Sequence, residues 1–217
     1  MKKIGLCLII IIILVIAAVI LPWDKFSQKK NEILDGSNEY SSLKIYSLRG
    51  DMHIFIDGEE RGVVHEEDSY FEVFPLQAGK HTVMLKRESS HEGFYKDFER
   101  EFVFEKGIDS VISWELGPTE DTSSGWLLYA KPSSHDDMSR VRTHFLCTPE
   151  NCGITIDGSE LKEGEDSFDL TLDSSHIINV HQEGYQTLEF EVLSEEKNAI
   201  LSGYELFIEI VLYRLPI

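Results

Sequence analysis

Ile54-Phe55-Ile56-Asp57-Gly58 and, one hundred positions further on, Ile154-Thr155-Ile156-Asp157-Gly158 are two copies of one pattern. Apolar and variable residues alternate over three positions, as on a strand with one buried face, and Asp-Gly follows. Only Gly, Asn and Asp adopt positive φ at low cost, so the dipeptide reads as a tight turn closing the strand. Asp57, Gly58, Asp157 and Gly158 are therefore assigned to structural turns. A strand and turn recurring at this distance point to two small β modules rather than one enzyme core.

Around the first copy, Leu43, Ile45 and Tyr46 begin a strand that ends at Arg49-Gly50-Asp51. That tripeptide is known as an adhesion signal, but here it reads as a turn before the next strand. Further β runs at 70–76, 81–86, 98–104 and 110–116, punctuated by Gly62 and by Gln77-Ala78-Gly79-Lys80, complete a module over 43–116 that reads as a sandwich. Residues 117–140 are rich in Pro, Thr, Asp, Ser and Gly and read as a linker. Within them the apolar run 126–129 can dock on either module or form an edge strand of the second. The second module, 141–217, repeats the order with shorter middle loops, so that Gly184 stands only 91 positions after Gly93. Its last run, 204–215, contains Glu205 and Glu209, too charged for a membrane span and suited to a buried final strand.

The second module carries Pro149, Glu150, Asn151 and Cys152, then Ile156, Asp157, Gly158, Gly184 and Tyr185. The first carries Ile56, Asp57, Gly58, then Ala78, Gly79, Lys80 and His81, then Gly93 and Phe94. This order resembles the PEGA domain family, in two divergent tandem copies. The namesake tetrapeptide is absent from the first copy, where Leu48, Arg49, Gly50 and Asp51 stand, and only its first two residues survive in the second. The resemblance implies small β-sandwich domains of prealbumin-like fold, frequent outside the cytoplasmic membrane, with no catalysis of their own and a role in contacts with proteins or envelope polymers.

Residues 4–23 form a run of twenty without a charge. As a helix, such a run spans about 30 Å, the hydrocarbon thickness of a bilayer. Ala17 and Ala18 are followed by Val19, Ile20 and Leu21 rather than by a small-x-small cleavage site, so the segment reads as an uncleaved transmembrane signal anchor. The expected layout is a cytoplasmic tail at 1–3, the anchor at 4–23 in the lipid bilayer, a linker at 24–42, and the two modules beyond. The expected fold class is thus all-β: two tandem small β-sandwich, prealbumin-like modules after an N-terminal transmembrane helix.

The net charge of −19 repels phosphate backbones and argues against nucleic acid as a partner. Cys7 lies inside the apolar run, whereas Cys147 and Cys152 are separated by Thr148-Pro149-Glu150-Asn151, close enough for a local disulfide if they face each other across a turn. The alternative is two unpaired thiols buried as small hydrophobes. No Gly-x-Ser-x-Gly or comparable nucleophile context is present, and Glu60 and Glu160 beside the two turns do not form a hydrolytic pair. His65-Glu66-Glu67-Asp68 and His135-Asp136-Asp137 place imidazoles beside carboxylates without the spacing of a calcium loop or a zinc site. Neither catalytic residues, a metal nor a cofactor is expected. Phe94, Tyr95, Trp126 and Tyr185 read as caps on small cores. The function these features suggest is a membrane-anchored, extracytoplasmic, non-enzymatic protein presenting two β modules to an envelope protein or cell-surface polymer. The alternative is a stalk or spacer without specific recognition.

Overall fold

Strand β2 (Met52–Ile56) buries Met52, Ile54 and Ile56 and leaves His53 and Phe55 half-exposed between them, the period-two pattern of a one-sided strand. Asp57 (φ 53°) and Gly58 (φ 80°) turn the chain directly into β3 (Glu59–Val64). Positive φ at both central residues makes this a two-residue turn whose twist matches that of the flanking strands. Asp157 (φ 50°) and Gly158 (φ 78°) do the same between β10 (Gly153–Ile156) and β11 (Ser159–Glu160). The computed structural model describes residues 40–216 apart from 48, 90–92, 135–136, 138, 163 and 194–200.

The remaining strands of the first repeat are β1 (Tyr40–Ser47), β4 (Phe71–Gln77), β5 (Gly79–Lys86), β6 (Phe98–Phe104) and β7 (Asp109–Glu115). Those of the second are β9 (Arg140–Thr148), β12 (Ser167–Thr171), β13 (His176–His181), β14 (Leu188–Val192) and β15 (Tyr204–Val211). Between the repeats lie a 3-10 turn, Glu120–Thr122, and β8 (Ser124–Pro132). One mixed sheet has the order β12-β9-β15-β8-β7-β1-β4, and two antiparallel sheets have the orders β3-β2-β5-β6 and β11-β10-β13-β14. Each repeat therefore contributes three strands to the shared sheet and four to a sheet of its own, in the same order. Within the shared sheet β1 runs parallel to β7 and β9 parallel to β15, while β8 is antiparallel to both its neighbours.

This layout corrects the expected fold class. The described residues are all-β, but the repeats are not separate tandem sandwiches: they share a sheet, and residues 39–217 form one compact unit. Segment 117–140 supplies the central strand of that sheet rather than a linker or an edge. The physical reason is that β8 is apolar on both faces, and each face fills a different core. Leu127 packs with Leu43, Ile45 and Ile112 of the first repeat. Trp126, Leu128 and Ala130 pack with Phe145, Ile178 and Ile208 of the second. Successive side chains of a strand point to opposite faces, so the two four-stranded sheets cover opposite faces of the shared sheet.

The register makes the relation between repeats explicit. Ile45 lies beside Ile112 and Phe145 beside Ile208, so these are equivalent pairs. Ile112 faces Leu127 across β8, whereas Ile208 faces Leu128. The operation that carries one repeat onto the other is thus a half-turn about β8 with a slip of one residue, about 3.3 Å. A β-strand has that symmetry itself, which is why a single strand can serve both copies. Close approach is needed on the β7 side: a Cβ on Gly125 (φ 149°) would sit 2.1 Å from the Ser113 carbonyl oxygen.

The transmembrane helix falls under the same correction. Among the described residues no helix is long and apolar enough to cross a membrane. Residues 4–23, on which the anchor rests, lie outside the described residues, as do residues 24–39 of the expected linker; residues 40–42 belong to β1. The membrane-anchored role, the bilayer contact through 4–23, the single-pass extracytoplasmic placement and the envelope partner tied to them are withdrawn.

Candidate functional site

Asp57 and Asp157 do more than turn the chain. The Asp57 carboxylate accepts from the Thr82 backbone N–H (2.9 Å) and from His81 Nδ1 (2.6 Å), while Asp57 N–H donates to the Thr82 carbonyl (2.9 Å). His81 Nε2 lies 2.8 Å from the Gln77 carbonyl. In the second repeat Asp157 accepts from Ile177 N–H (2.9 Å) and His176 Nδ1 (2.7 Å), and His176 Nε2 lies 3.0 Å from the Thr171 carbonyl. Each imidazole thus faces a carboxylate oxygen at Nδ1 and a backbone carbonyl at Nε2. The hydrogen bond from His81, followed by that from Thr82, holds the Asp57 carboxyl below its usual range. The hydrogen bond from His176 does the same for Asp157, outweighing the opposing effect of burial with a further contribution from Ile177 N–H. The Thr171 hydroxyl also lies 3.3 Å from His176 Nε2 and 3.2 Å from the Ser174 hydroxyl. The Asp–His pairs clamp the β2–β3 turn to β5 and the β10–β11 turn to β13. The histidines escape sequence reading because they lie 24 and 19 residues from their acids. The signal that could have found them is a histidine opening a strand after a polar turn in both copies.

The other residues singled out by sequence are dispersed. Cys147 and Cys152 are joined by a disulfide, with Cα atoms 6.3 Å apart, across the β9–β10 turn. In the Arg49-Gly50-Asp51 turn the Ser47 hydroxyl donates to the Gly50 carbonyl (2.6 Å). The Asp51 carboxylate accepts from His65 Nδ1 (2.8 Å) and Glu66 N–H (3.2 Å), so the acid of the tripeptide is already engaged. Glu60 is held by His53 (2.7 Å), and Glu160 is exposed on β11. Among the described residues no group of three or more His, Cys, Asp or Glu is placed to hold a metal, and His135 and Asp136 lie outside them. Trp126 is buried and stacks on Phe190 at 4.2 Å between centroids. Tyr95 and Tyr185 pack on the two cores. Phe94 remains about half exposed (51%) and meets Tyr95 edge-on.

Each half of the shared sheet has one face covered by its own four-stranded sheet and one left bare, bordered by the outermost strand of the other repeat's sheet. The duplication therefore builds the same groove twice. In the second repeat it is sealed. Arg100, on β6, makes a two-pronged ion pair with Glu209 on β15 (2.5 and 2.6 Å), and the Tyr129 hydroxyl donates to Glu209 (2.5 Å). Burial pushes the Glu209 carboxyl up, but the bonds from Arg100 and Tyr129 outweigh it and leave the group below its usual range. Burial and the bond to Glu209 drive the Tyr129 phenol well upward. Phe207 fills the floor, stacked between Tyr129 (5.5 Å) and His144 (4.7 Å), with the Lys131 ammonium 4.1 Å from its centroid.

In the first repeat the groove is open among the described residues. Register places Val111 where the second repeat has Phe207, Ser113 where it has Glu209, and Phe190 where it has Arg100. The smaller side chains and the missing ion pair leave a cleft of about 570 Å³, floored by Ile108, Val111, Trp126, Leu128 and Phe190. Lys44 and Asp109 (3.5 Å) stand at its rim, in the positions that His144 and Glu205 (3.0 Å) occupy in the sealed copy. A concave, mostly apolar cleft of this size with few polar groups at its rim suits ligand binding. Comparison with known proteins finds no matching family model and no matching curated protein.

Proposed function

We propose that this chain is a non-catalytic binding protein built from two PEGA-like repeats, and that its ligand-accepting surface is the open groove of the first repeat. The observation that carries this reading is the internal contrast. One scaffold, present twice, has its groove plugged by Phe207 and the Arg100–Glu209–Tyr129 cluster in one copy and, among the described residues, left empty of such groups in the other. A groove without function gains nothing by staying open, because filling it contributes roughly 25 cal/mol per Å² of apolar surface removed from water. The PEGA-like reading draws support from the identical strand order of the two repeats, and the non-catalytic reading from the engagement of Asp57 and Asp157 in clamps.

The test transplants the plug. Val111→Phe places the second repeat's side chain on the floor of the open groove. The full-length variant is expected to lose most of its binding of Nile red, an uncharged apolar probe, at unchanged thermal stability. Undiminished probe binding by the folded variant would show that the groove is not the site.

A further inference from the structure

A second cleft, of about 770 Å³, lies where the Arg49-Gly50 turn of the first repeat meets the segments around Leu188 and Tyr213 of the second. Its chemistry differs from that of the groove. Arg87 forms one wall, with a side chain only 7% exposed, bonded to Glu115 through two nitrogens (2.7 and 3.4 Å) and lying 5.2 Å from the Tyr95 ring centroid. Its Nε is buried and has no hydrogen-bond partner among the described residues. Gly50, at φ 64°, brings its backbone alongside the guanidinium, where a Cβ would be in ordinary contact with that Nε at 3.6 Å. Arg49, exposed at the mouth, has no carboxylate partner among the described residues, in a chain with 39 acids and 20 Lys and Arg.

A buried ion pair is a poor way to stabilise a fold, since desolvation cancels much of its Coulombic gain, and an unsatisfied donor adds to the cost. Such features are found where a polar surface is held ready for a ligand. Here Glu115 offsets Arg87 and leaves the cleft with one net positive charge, that of Arg49, together with apolar walls from Leu116, Pro118, Leu188 and Leu212. A single charge balances a monoanion. A phosphate dianion would leave excess negative charge inside a protein whose net charge is already −19.

We propose that this cleft is a binding site for a monocarboxylate with an apolar body, the carboxylate paired in two-pronged fashion with the Arg49 guanidinium and the body resting on the leucine and proline walls. Two sources share this chemistry: a free small organic acid and the C-terminus of an apolar peptide. The site is separate from the open groove, although Leu188 lines both.

The experiment is a titration of the uniformly ¹⁵N-labelled full-length protein with N-acetyl-phenylalanine, its uncharged amide, and a tetrapeptide ending in free phenylalanine. N-acetyl-phenylalanine is expected to shift the backbone amides of Gly50, Gly117 and Gly125, with the amide binding roughly tenfold more weakly. Arg49→Gln should reduce the acid to the affinity of the amide while leaving Nile red binding in the groove intact. The tetrapeptide binding more tightly than the acid assigns the site to peptide termini, and equal affinity assigns it to small acids. Equal affinity of acid and amide, an acid affinity unchanged by Arg49→Gln, or no shift of these amides at millimolar acid overturns the proposal. Val111→Phe separates this site from the groove, since it should leave carboxylate binding unaltered.

Discussion

Leu127 and Leu128 are neighbours in sequence but belong to different cores, and truncating each tests the central role of β8 directly. Leu127 is 2% exposed among Leu43, Ile45 and Ile112, while Leu128 is 9% exposed in the other core and borders the open groove. Removing a fully enclosed leucine side chain costs about 3 to 5 kcal/mol through lost transfer free energy and the cavity left behind. That range applies to Leu127→Ala. Leu128→Ala opens its cavity onto an existing cleft and should cost less, about 2 to 3 kcal/mol. The side chains face opposite ways and share no partner, so the double variant should be additive within about 0.5 kcal/mol. Guanidinium unfolding gives the magnitudes, and methyl ¹³C spectra give the locations. Leu127→Ala should shift the methyls of Leu43, Ile45 and Ile112, and Leu128→Ala those of Ile178 and Ile208. If Leu127→Ala disturbs Ile178 and Ile208 as strongly as Ile45 and Ile112, the assignment of alternate β8 side chains to separate cores is wrong.

The clamps give a graded series: Asp157→Ala deprives the nearly buried His176 (8% exposed) of its partner and puts alanine at φ 50°, for a loss of about 2 to 3 kcal/mol in thermal or chemical unfolding. Asp57→Ala should cost less because His81 is 17% exposed, and a larger loss at Asp57 would contradict the burial argument. The Asp57 and Asp157 carboxyls are held below their ordinary range, so their contribution is present above about pH 4 and disappears as pH falls through the depressed folded-state pKa. Acid unfolding of a double Asp→Asn variant should accordingly depend less steeply on pH. Replacing Cys147 and Cys152 by serine opens a short loop with a sequence separation of 5, for an expected loss of about 2 kcal/mol, and reduction of the native chain should raise its intact mass by about two hydrogens. Phe207→Val combined with Glu209→Ser should unseal the second groove and add a second Nile red site, seen as a doubled binding stoichiometry.

The repeat is legible in sequence because its marks are local: an alternating triplet and a dipeptide that favours positive φ. β8 is not, because Trp126-Leu127-Leu128 reads as a short apolar run whose partners, Ile112 on one side and Ile208 on the other, are fixed only by long-range pairing. Hydrophobic on both faces, such a run fits an edge strand or a docked loop as well as a central strand until its neighbours are known. Glu209 inside the apolar last strand is visible as an oddity, but its partner Arg100 stands 109 residues earlier. The open groove is harder still to foresee: it exists because Val111 and Phe207 are equivalent, and that equivalence appears only once the strands are in register. Arg87 carries no pattern, since only tertiary packing buries it, and Arg49 is visible only as part of the Arg49-Gly50-Asp51 turn, which says nothing of the cleft beside it.

The pairing of the shared sheet also decides how the protein bears load. β1, β7, β15 and β9 all point the same way, so the chain enters the sheet at one end, at Tyr40, and leaves it at the other, at Val211. Tension applied through the two termini pulls β1 and β15 in opposite directions along their own axes. The ladders between them are then loaded in shear, many hydrogen bonds at once, and not peeled one at a time. With β8 paired to β7 over 124–128 and to β15 over 125–132, the two halves are joined through one continuous sheet, and a pull on either end is passed through its ladders.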